Sequence, residues 1–177
     1  MKRQSNLASK SALAAALAAA TLVLAAPAPS LAQEKAIYTK KFLSLEVATE
    51  LAQAAIKHCR SKGYQVAVTV VDTGGNEQVT LRDRFAGPHT PSTALRKAWT
   101  AVSFRTNTSD LAKATEKGEA WAVRGVTKAL PLGGGVMIRE GAGSLIGAVG
   151  VSGAPAGSLD DECAKAGIAA IEDKIAF

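Results

Sequence analysis

The chain has 177 residues, of which 47% are hydrophobic and 20% charged, so it is long and apolar enough for one sizeable core and is not a disordered chain. Without Lys2, Arg3 and Lys10, which we expect to be removed, 18 basic residues stand against 15 acidic ones and the net charge falls from +6 to +3. This weak charge, with no basic stripe carrying interleaved aromatic residues, excludes nucleic-acid binding as the expected function.

The first 32 residues have the pattern of a secretory signal peptide. The first ten carry only positive charges, residues 11–26 form an uncharged Ala/Leu/Val run, and Ser30 and Ala32 fit the small-residue rule for cleavage after Ala32. The apolar run is shorter than the roughly 20 residues that a membrane-spanning helix needs. We therefore expect a mature chain of residues 33–177 that is periplasmic or secreted, with no membrane association after cleavage.

An amphipathic helix and a β-hairpin open the mature chain. Ser44 can cap a helix whose apolar residues recur every three or four positions and which Gly63 ends. Residues 65–71 are rich in β-branched side chains, and the turn residues at 72–76 separate them from a second strand at 77–82.

The middle of the chain is predicted to be helical. Thr90 as N-cap and Pro91 at the first helical position begin a helix that runs to about Phe104. A shorter helix follows to residue 117, and residues 118–128 favour helical turn and loop. Trp99 and Trp121 are expected in the core.

The last third predicts strands and a final helix. Residues 129–132, 136–139 and 144–152 have strand character, with glycine runs as breakers. Ser158 and Asp161 resemble a capping box at the start of the last helix. The element order predicts one α+β domain with a mainly antiparallel five-stranded sheet and flanking helices.

Common catalytic and metal motifs are missing from the sequence. No phosphate-binding loop, dinucleotide fingerprint or nucleophile elbow occurs. With only two histidines, one subunit cannot assemble a histidine-rich metal site. His58, at the edge of the first helix's apolar stripe, is interpreted as a packed or half-exposed helical residue.

His89 is the more informative histidine. Gly87-Pro88 precede it and Thr90-Pro91 follow, so a stiff loop holds its imidazole just before a helix. Either it caps or packs there, or it binds a ligand or iron. The helix beyond it has a polar, cationic side that is either a solvated face or a site for an anionic ligand; this side comprises Thr93, Arg96 or Lys97, Thr100 and Phe104, with Arg105 at the helix end.

A series of short motifs in register over residues 43–176 resembles the GlcG/HbpS haem-binding family. The motifs are Val70-Val71-Asp72-x-Gly74-Gly75, Arg82-Asp83, Gly87-Pro88-His89-Thr90, Arg96-Lys97-Ala98-Trp99-Thr100-Ala101, Gly133-Gly134-Gly135, Gly147-Ala148-Val149-Gly150-Val151-Ser152-Gly153 and Asp160-Asp161-Glu162-x-Ala164. The resemblance implies a profilin-like or Roadblock-like α+β domain and assembly into homo-oligomers. It also implies haem binding, slow haem degradation in some members, and in others a sensing role with a membrane sensor partner.

Two functions follow. The first is a secreted haem-binding protein that scavenges or senses haem. The second is a small enzyme acting on an aromatic or hydroxy-acid metabolite, with Asp72, Asp83 or His89 as the proton-transfer group. The sequence offers no complete set of acid, base and nucleophile, which favours the first.

The expected haem site lies on the loop 84–90 and the polar side of the helix 91–105. Haem needs an apolar surface for the macrocycle, cations for its propionates and usually an axial ligand. The candidates for the apolar surface are Phe85 and Phe104, and those for the cations are Arg96, Lys97 and Arg105. The candidate axial ligand is His89, with Thr100 as a weaker oxygen alternative.

Two further expectations concern the whole chain. Cys59 and Cys163 lie on or beside the apolar faces of the first and last helices, and in an oxidising compartment we expect them to form a disulfide, the alternative being two buried thiols. Because four modest, Ala-rich helices offer little bulk to cover the sheet, we also expect a homo-oligomer.

Overall fold

Four α-helices, four strands and two short 3₁₀ helices alternate along residues 36–177, the part of the chain that this computed structural model describes. The elements are α1 (Leu45–Ser61), β1 (Ala67–Val71), β2 (Glu77–Arg82), α2 (Thr90–Phe104), α3 (Thr108–Ala114), the 3₁₀ helix Glu119–Gly125, β3 (Gly135–Arg139), β4 (Leu145–Ser152), α4 (Gly157–Ala169) and the 3₁₀ helix Glu172–Lys174. Residues 39–177 form one compact unit. The predicted signal peptide, residues 1–32, lies outside the described residues. Among residues 36–177, no helix has the length and hydropathy to cross a membrane.

The sheet is antiparallel with the strand order β2-β1-β4-β3. The predicted α+β class with flanking helices is confirmed. The prediction of a fifth strand at residues 129–132 is wrong, because the described sheet has four strands. Side chains of α2 hold that segment instead: the backbone N–H of Leu130 donates to Thr100 Oγ1 at 2.9 Å, and Arg96 Nη2 donates to the carbonyl of Ala129. Pro131 has no backbone N–H, so this segment could not form all the hydrogen bonds of a strand within a sheet.

Helices cover both faces of the sheet. Every residue of β1 is buried, and its neighbours Val70 and Val71 point to opposite faces. Val70 belongs to the larger cluster, which includes residues of α1 and α4, whereas Val71 packs with Ala98 and Ala101 of α2. The chain thus covers its central strands itself, so sheet coverage alone does not require a second copy.

A disulfide joins the two helices on the larger cluster. Cys59 of α1 and Cys163 of α4 are bonded, with their Cα atoms 5.5 Å apart, so this prediction is confirmed. The sulfurs are buried among apolar side chains, and the bond connects positions 104 residues apart in sequence.

Three local predictions are wrong, for identifiable reasons. The N-cap of α2 is His89 and not Thr90, whose hydroxyl is buried and donates to the carbonyl of Gly87. The N-cap of α4 is Ala156 and not Ser158, because Asp161 accepts hydrogen bonds from outside the helix. Trp121 is exposed, on the 3₁₀ helix, and not in the core.

Candidate functional site at the start of helix α2

A cleft of about 470 Å³ opens at the N-terminal end of α2. Its walls come from three segments: the first turns of α2, residues 130–132, and the loop between β4 and α4. The side chains that line it include His89, Thr93, Arg96, Lys97, Leu130, Leu132, Pro155 and Asp160. The cleft combines one imidazole, one exposed guanidinium and a few apolar side chains. Beneath them lie Lys97 and Asp160, whose opposite charges neutralise each other.

His89 is exposed at the rim of this cleft. A Cβ atom added at Gly87 would lie 2.8 Å from its Cε1 and 2.9 Å from its Nδ1, so the imidazole rests against the Gly87 backbone. The carbonyl of His89 accepts hydrogen bonds from Ser92 and Thr93, but within the described residues its ring makes no capping bond. A ring nitrogen is therefore free to bind a ligand in the cleft.

Arg96 shapes the wall opposite the β4–α4 loop. Its Nε donates to the carbonyl of Lys128 at 3.3 Å and its Nη2 donates to that of Ala129 at 3.0 Å. A guanidinium has five N–H donors, so three remain for a ligand. These bonds fix the side chain in the cleft and hold the segment predicted as a strand.

Lys97 lies beneath the cleft and not on the exposed cationic face. Its side chain is 1% exposed, and its Nζ lies 2.7 Å from Asp160 Oδ2 and donates to the carbonyl of Val151 at 2.9 Å. The Lys97 charge is thus already neutralised, which removes the expected role as a propionate partner. The pair instead joins α2 to β4 and α4 at the cleft floor.

Asp160 also organises the loop above it. Its Oδ1 accepts the backbone N–H of Ala154 at 3.0 Å, so one carboxylate fixes both the lysine and the cleft wall. Burial raises the pKa of Asp160, although the ammonium of Lys97 and the N–H of Ala154 act in the opposite direction. Gly134 is required beside the pair: its φ is +114°, and a Cβ there would lie 2.8 Å from Lys97 Nζ.

Asp161 ties the glycine segment to α4. Its Oδ1 accepts the N–H of Gly134 at 2.6 Å, and its Oδ2 accepts the hydroxyl of Ser109. The sequence interpretation missed these inward roles of Asp160 and Asp161 because acidic residues at a helix start also suit the helix dipole. The signal in the sequence was the Gly133-Gly134-Gly135 run that precedes these two acids. Only the tertiary fold shows that Asp161 accepts a hydrogen bond from this run.

The remaining predicted haem-site residues are dispersed. Thr100 is buried and its hydroxyl is engaged with Arg96 and Leu130, while Phe85 is exposed on the preceding loop. Phe104 and Arg105 lie at the other end of α2, which at 15 residues is about 22 Å long. Within one copy, the cleft therefore brings together only His89 and Arg96 as accessible polar groups from that set, with Lys97 below them.

Two acids proposed for proton transfer have structural partners. Asp83 is buried, accepts from the Arg60 guanidinium and accepts the N–H of Val66 at 3.3 Å. Asp72 organises the β1–β2 turn; partial burial opposes the effect, but hydrogen bonds from Asn76 and Gly74 lower the pKa of its carboxyl. Neither arrangement resembles a general base facing a substrate cleft.

Within residues 36–177, no group of three His, Cys, Asp or Glu side chains is placed to hold a metal ion.

The chain is similar in sequence and fold to proteins of a haem-degrading family. The family described as haem-degrading, HbpS-like proteins matches residues 43–169. The crystal structure of HbpS is 40% identical, with a TM-score of 0.71, over 76% of this chain and 93% of that one. The structure of a PduOC–haem complex is 32% identical, with a TM-score of 0.67, over 73% of this chain and 95% of that one.

A curated full-length relative is larger. The corrinoid adenosyltransferase PduO of Salmonella typhimurium strain LT2 is 35% identical over an alignment of 136 positions, and the match covers 73% of this chain and 39% of the relative. The chain thus spans about two fifths of that relative's length.

Proposed function

The chain belongs to the HbpS-like family of haem-degrading proteins, and from this we propose that it binds haem in the cleft at the start of α2. The observation that carries the proposal is the exposed imidazole of His89, which has no capping bond and faces a cleft with an anchored guanidinium. The PduOC–haem complex, similar in sequence and fold, supports haem as the ligand.

The residues present fit the group. His89 would supply an axial nitrogen, the unused donors of Arg96 would hold a propionate, and Leu130, Leu132 and Pro155 would contact the macrocycle. Bound haem would supply redox chemistry at its iron, while this chain provides the ligand, the cation and the walls. The Lys97–Asp160 pair would keep those walls in place from below.

We propose a scavenging or sensing role outside the cytoplasmic membrane, with slow haem degradation as an accompanying activity. The signal-like pattern of residues 1–32 and a disulfide between Cys59 and Cys163 both suit an oxidising compartment. A sensing role would require a membrane partner, which we propose only as part of that role.

We also propose a homo-oligomer. Trp121, Val126 and Leu132 are exposed apolar side chains, and Leu132 lines the cleft itself. A second copy placed there would cover the open side of a bound macrocycle. Light scattering of residues 33–177 at micromolar concentration should return at least a dimer, and a monomer mass would contradict assembly.

Haemin titration tests the binding proposal directly. The apoprotein should develop a sharp Soret band that saturates at a fixed ratio of haem to chain, and protein from haem-replete cells should carry the same band. Addition of peroxide to the complex then distinguishes the roles: slow bleaching indicates degradation, and a stable band indicates scavenging or sensing. A broad, non-saturating absorbance like that of free haemin would contradict a specific site.

A further inference from the structure

We propose that a second cleft, at the other end of α2, binds a small organic polyanion through carboxylate or phosphate groups. This cleft, here called the cationic cleft, has a volume of about 760 Å³ and lies between the C-terminal end of α2, the β1–β2 turn and the end of β3. Its size is within the usual range for small-molecule sites. The length of α2, about 22 Å, separates it from the cleft that contains His89.

The charge of the cationic cleft is strongly one-sided. Its basic lining residues are Lys40, Lys41, Arg105 and Arg139. Glu140 is the one acidic residue among the described lining residues, and it is paired with Lys41 at 2.5 Å. The guanidinium groups of Arg105 and Arg139 therefore give this concave surface an excess of positive charge, which concentrates anions there.

Arg105 has a backbone conformation that its side chain type disfavours. It is the C-cap of α2 with φ 50° and ψ 41°, the left-handed region in which glycine is unstrained. Its N–H closes the helix by donating to the carbonyl of Ala101, a role that glycine would perform equally well. Within the described residues, no acidic group pairs with its guanidinium, so the charge faces the cleft uncompensated.

Arg139 adds a second guanidinium, which has no carboxylate partner among residues 36–177. Its Nη1 donates to the carbonyl of Gly143 at 2.7 Å, which orients the side chain without neutralising it. The β3–β4 register shifts between Ile138 and Arg139, directly before Glu140. Such irregularities re-aim side chains and are frequent beside binding sites.

Thr73 supplies an independent indication of a ligand. Its Oγ1 is buried and, within the described residues, has no hydrogen-bond partner, although Thr73 lines the cationic cleft. A buried hydroxyl without a partner is energetically unfavourable. An anionic oxygen held by Arg105 and Arg139 would accept this hydrogen bond and remove that cost.

The expected ligand has at least two anionic groups on a short organic body. Two guanidinium groups suit carboxylate or phosphate oxygens, which they bind in a bidentate manner. The hydroxyl of Ser103 adds a neutral donor, and Val102 and Leu145 provide an apolar contact for the carbon skeleton.

Calorimetric titration with pyrophosphate and with citrate, at about 0.15 M salt to screen general attraction, tests the proposal. The informative variant is Arg105→Gly, which removes the cation and relieves the left-handed backbone, so its melting temperature should equal or exceed that of the wild type. Its affinity for the bound anion should fall at least about tenfold. The matched control is Lys57→Gln, which removes one exposed charge on α1 away from the cleft and should leave affinity within about twofold.

The outcomes separate the ligand classes. Binding of pyrophosphate alone would identify a phosphate ligand, binding of citrate alone a carboxylate ligand, and binding of both a site for either group. Absence of binding at millimolar concentration, or equal affinity in Arg105→Gly, would overturn the proposal. Haemin affinity should be unchanged in Arg105→Gly, and its loss would show that this cleft is not separate from the haem site.

Discussion

At the scale of single residues, the buried Lys97–Asp160 pair is the main feature under the candidate haem cleft. Its two charges are almost completely removed from solvent and also bond to Val151 and Ala154. The sequence places Lys97 on a polar helix side, and nothing local reveals that its partner is 63 positions away. Periodicity identifies a helix face, but the depth of burial depends on what the fold packs against it.

Removing one member of the pair should be strongly destabilising. Asp160→Asn leaves the Lys97 ammonium buried without a counter-charge, which should cost about 3–5 kcal/mol. The double variant Lys97→Met, Asp160→Leu should recover much of that loss, because no buried charge remains. Urea unfolding of the three proteins measures this, and equal loss in single and double variants would contradict the interpretation.

Asp72 should make stability depend on pH. Its pKa is lowered from 3.8 in the folded state, so its contribution is present above pH 3.8 and is lost as the pH falls through the lower folded value. Asp72→Asn should therefore be less stable than the wild type by about 1 kcal/mol at pH 7, with the gap closing in strong acid. Thermal unfolding across this range checks it; a gap that does not change with pH would exclude the carboxylate as its source.

At the scale of elements, apolar periodicity predicted α1 between Ser44 and Gly63, and the structure places it at Leu45–Ser61. The same reasoning failed at residues 129–132, where an apolar run resembles a strand. Hydrogen bonds from Arg96 and to Thr100 determine the conformation of that segment. Partners so distant in sequence do not produce a periodic pattern within the segment itself. The cleft wall could thus not be predicted, although the helix bearing His89 could.

The contact of α2 with β4 depends on the absence of a side chain at Gly150. A Cβ there would overlap the carbonyl oxygen of Ala94 and lie 2.8 Å from the nitrogen of Ala98. Gly150→Ala should therefore separate helix and sheet and lower stability by about 1–3 kcal/mol. The control is Gly125→Ala, since nothing lies within 4 Å of its added Cβ; unfolding free energies that match in the two variants would contradict the close-packing argument.

At the scale of the whole molecule, one disulfide connects α1 and α4 across the larger core cluster. The cysteine positions allowed its prediction, since only two thiols exist and both lie on apolar helix faces. The dispersal of the predicted haem-site residues was not predictable in the same way. Sequence spacing placed Phe104 on the same helix side as Arg96, with Arg105 at the helix end, but it did not take account of the distance between the two ends of the helix.

Loss of the disulfide should be costly because it closes a long loop. For a separation of 104 residues, the chain-entropy model gives roughly 4.7 kcal/mol. Denaturant unfolding should show a decrease of that order in the Cys59→Ser, Cys163→Ser double variant, and reductant should then have no further effect. Alkylation of both cysteines of the wild type without reductant would contradict the bond.

The most direct test of haem binding at the start of α2 is a haemin titration of His89→Ala against His58→Ala. These are the chain's two histidines, and His58 lies half-buried on α1, outside the cleft. We predict a shifted Soret maximum and weakened binding for His89→Ala, with His58→Ala indistinguishable from the wild type. An unchanged spectrum and affinity in His89→Ala would contradict axial ligation by His89 and with it the assignment of this cleft as the haem site.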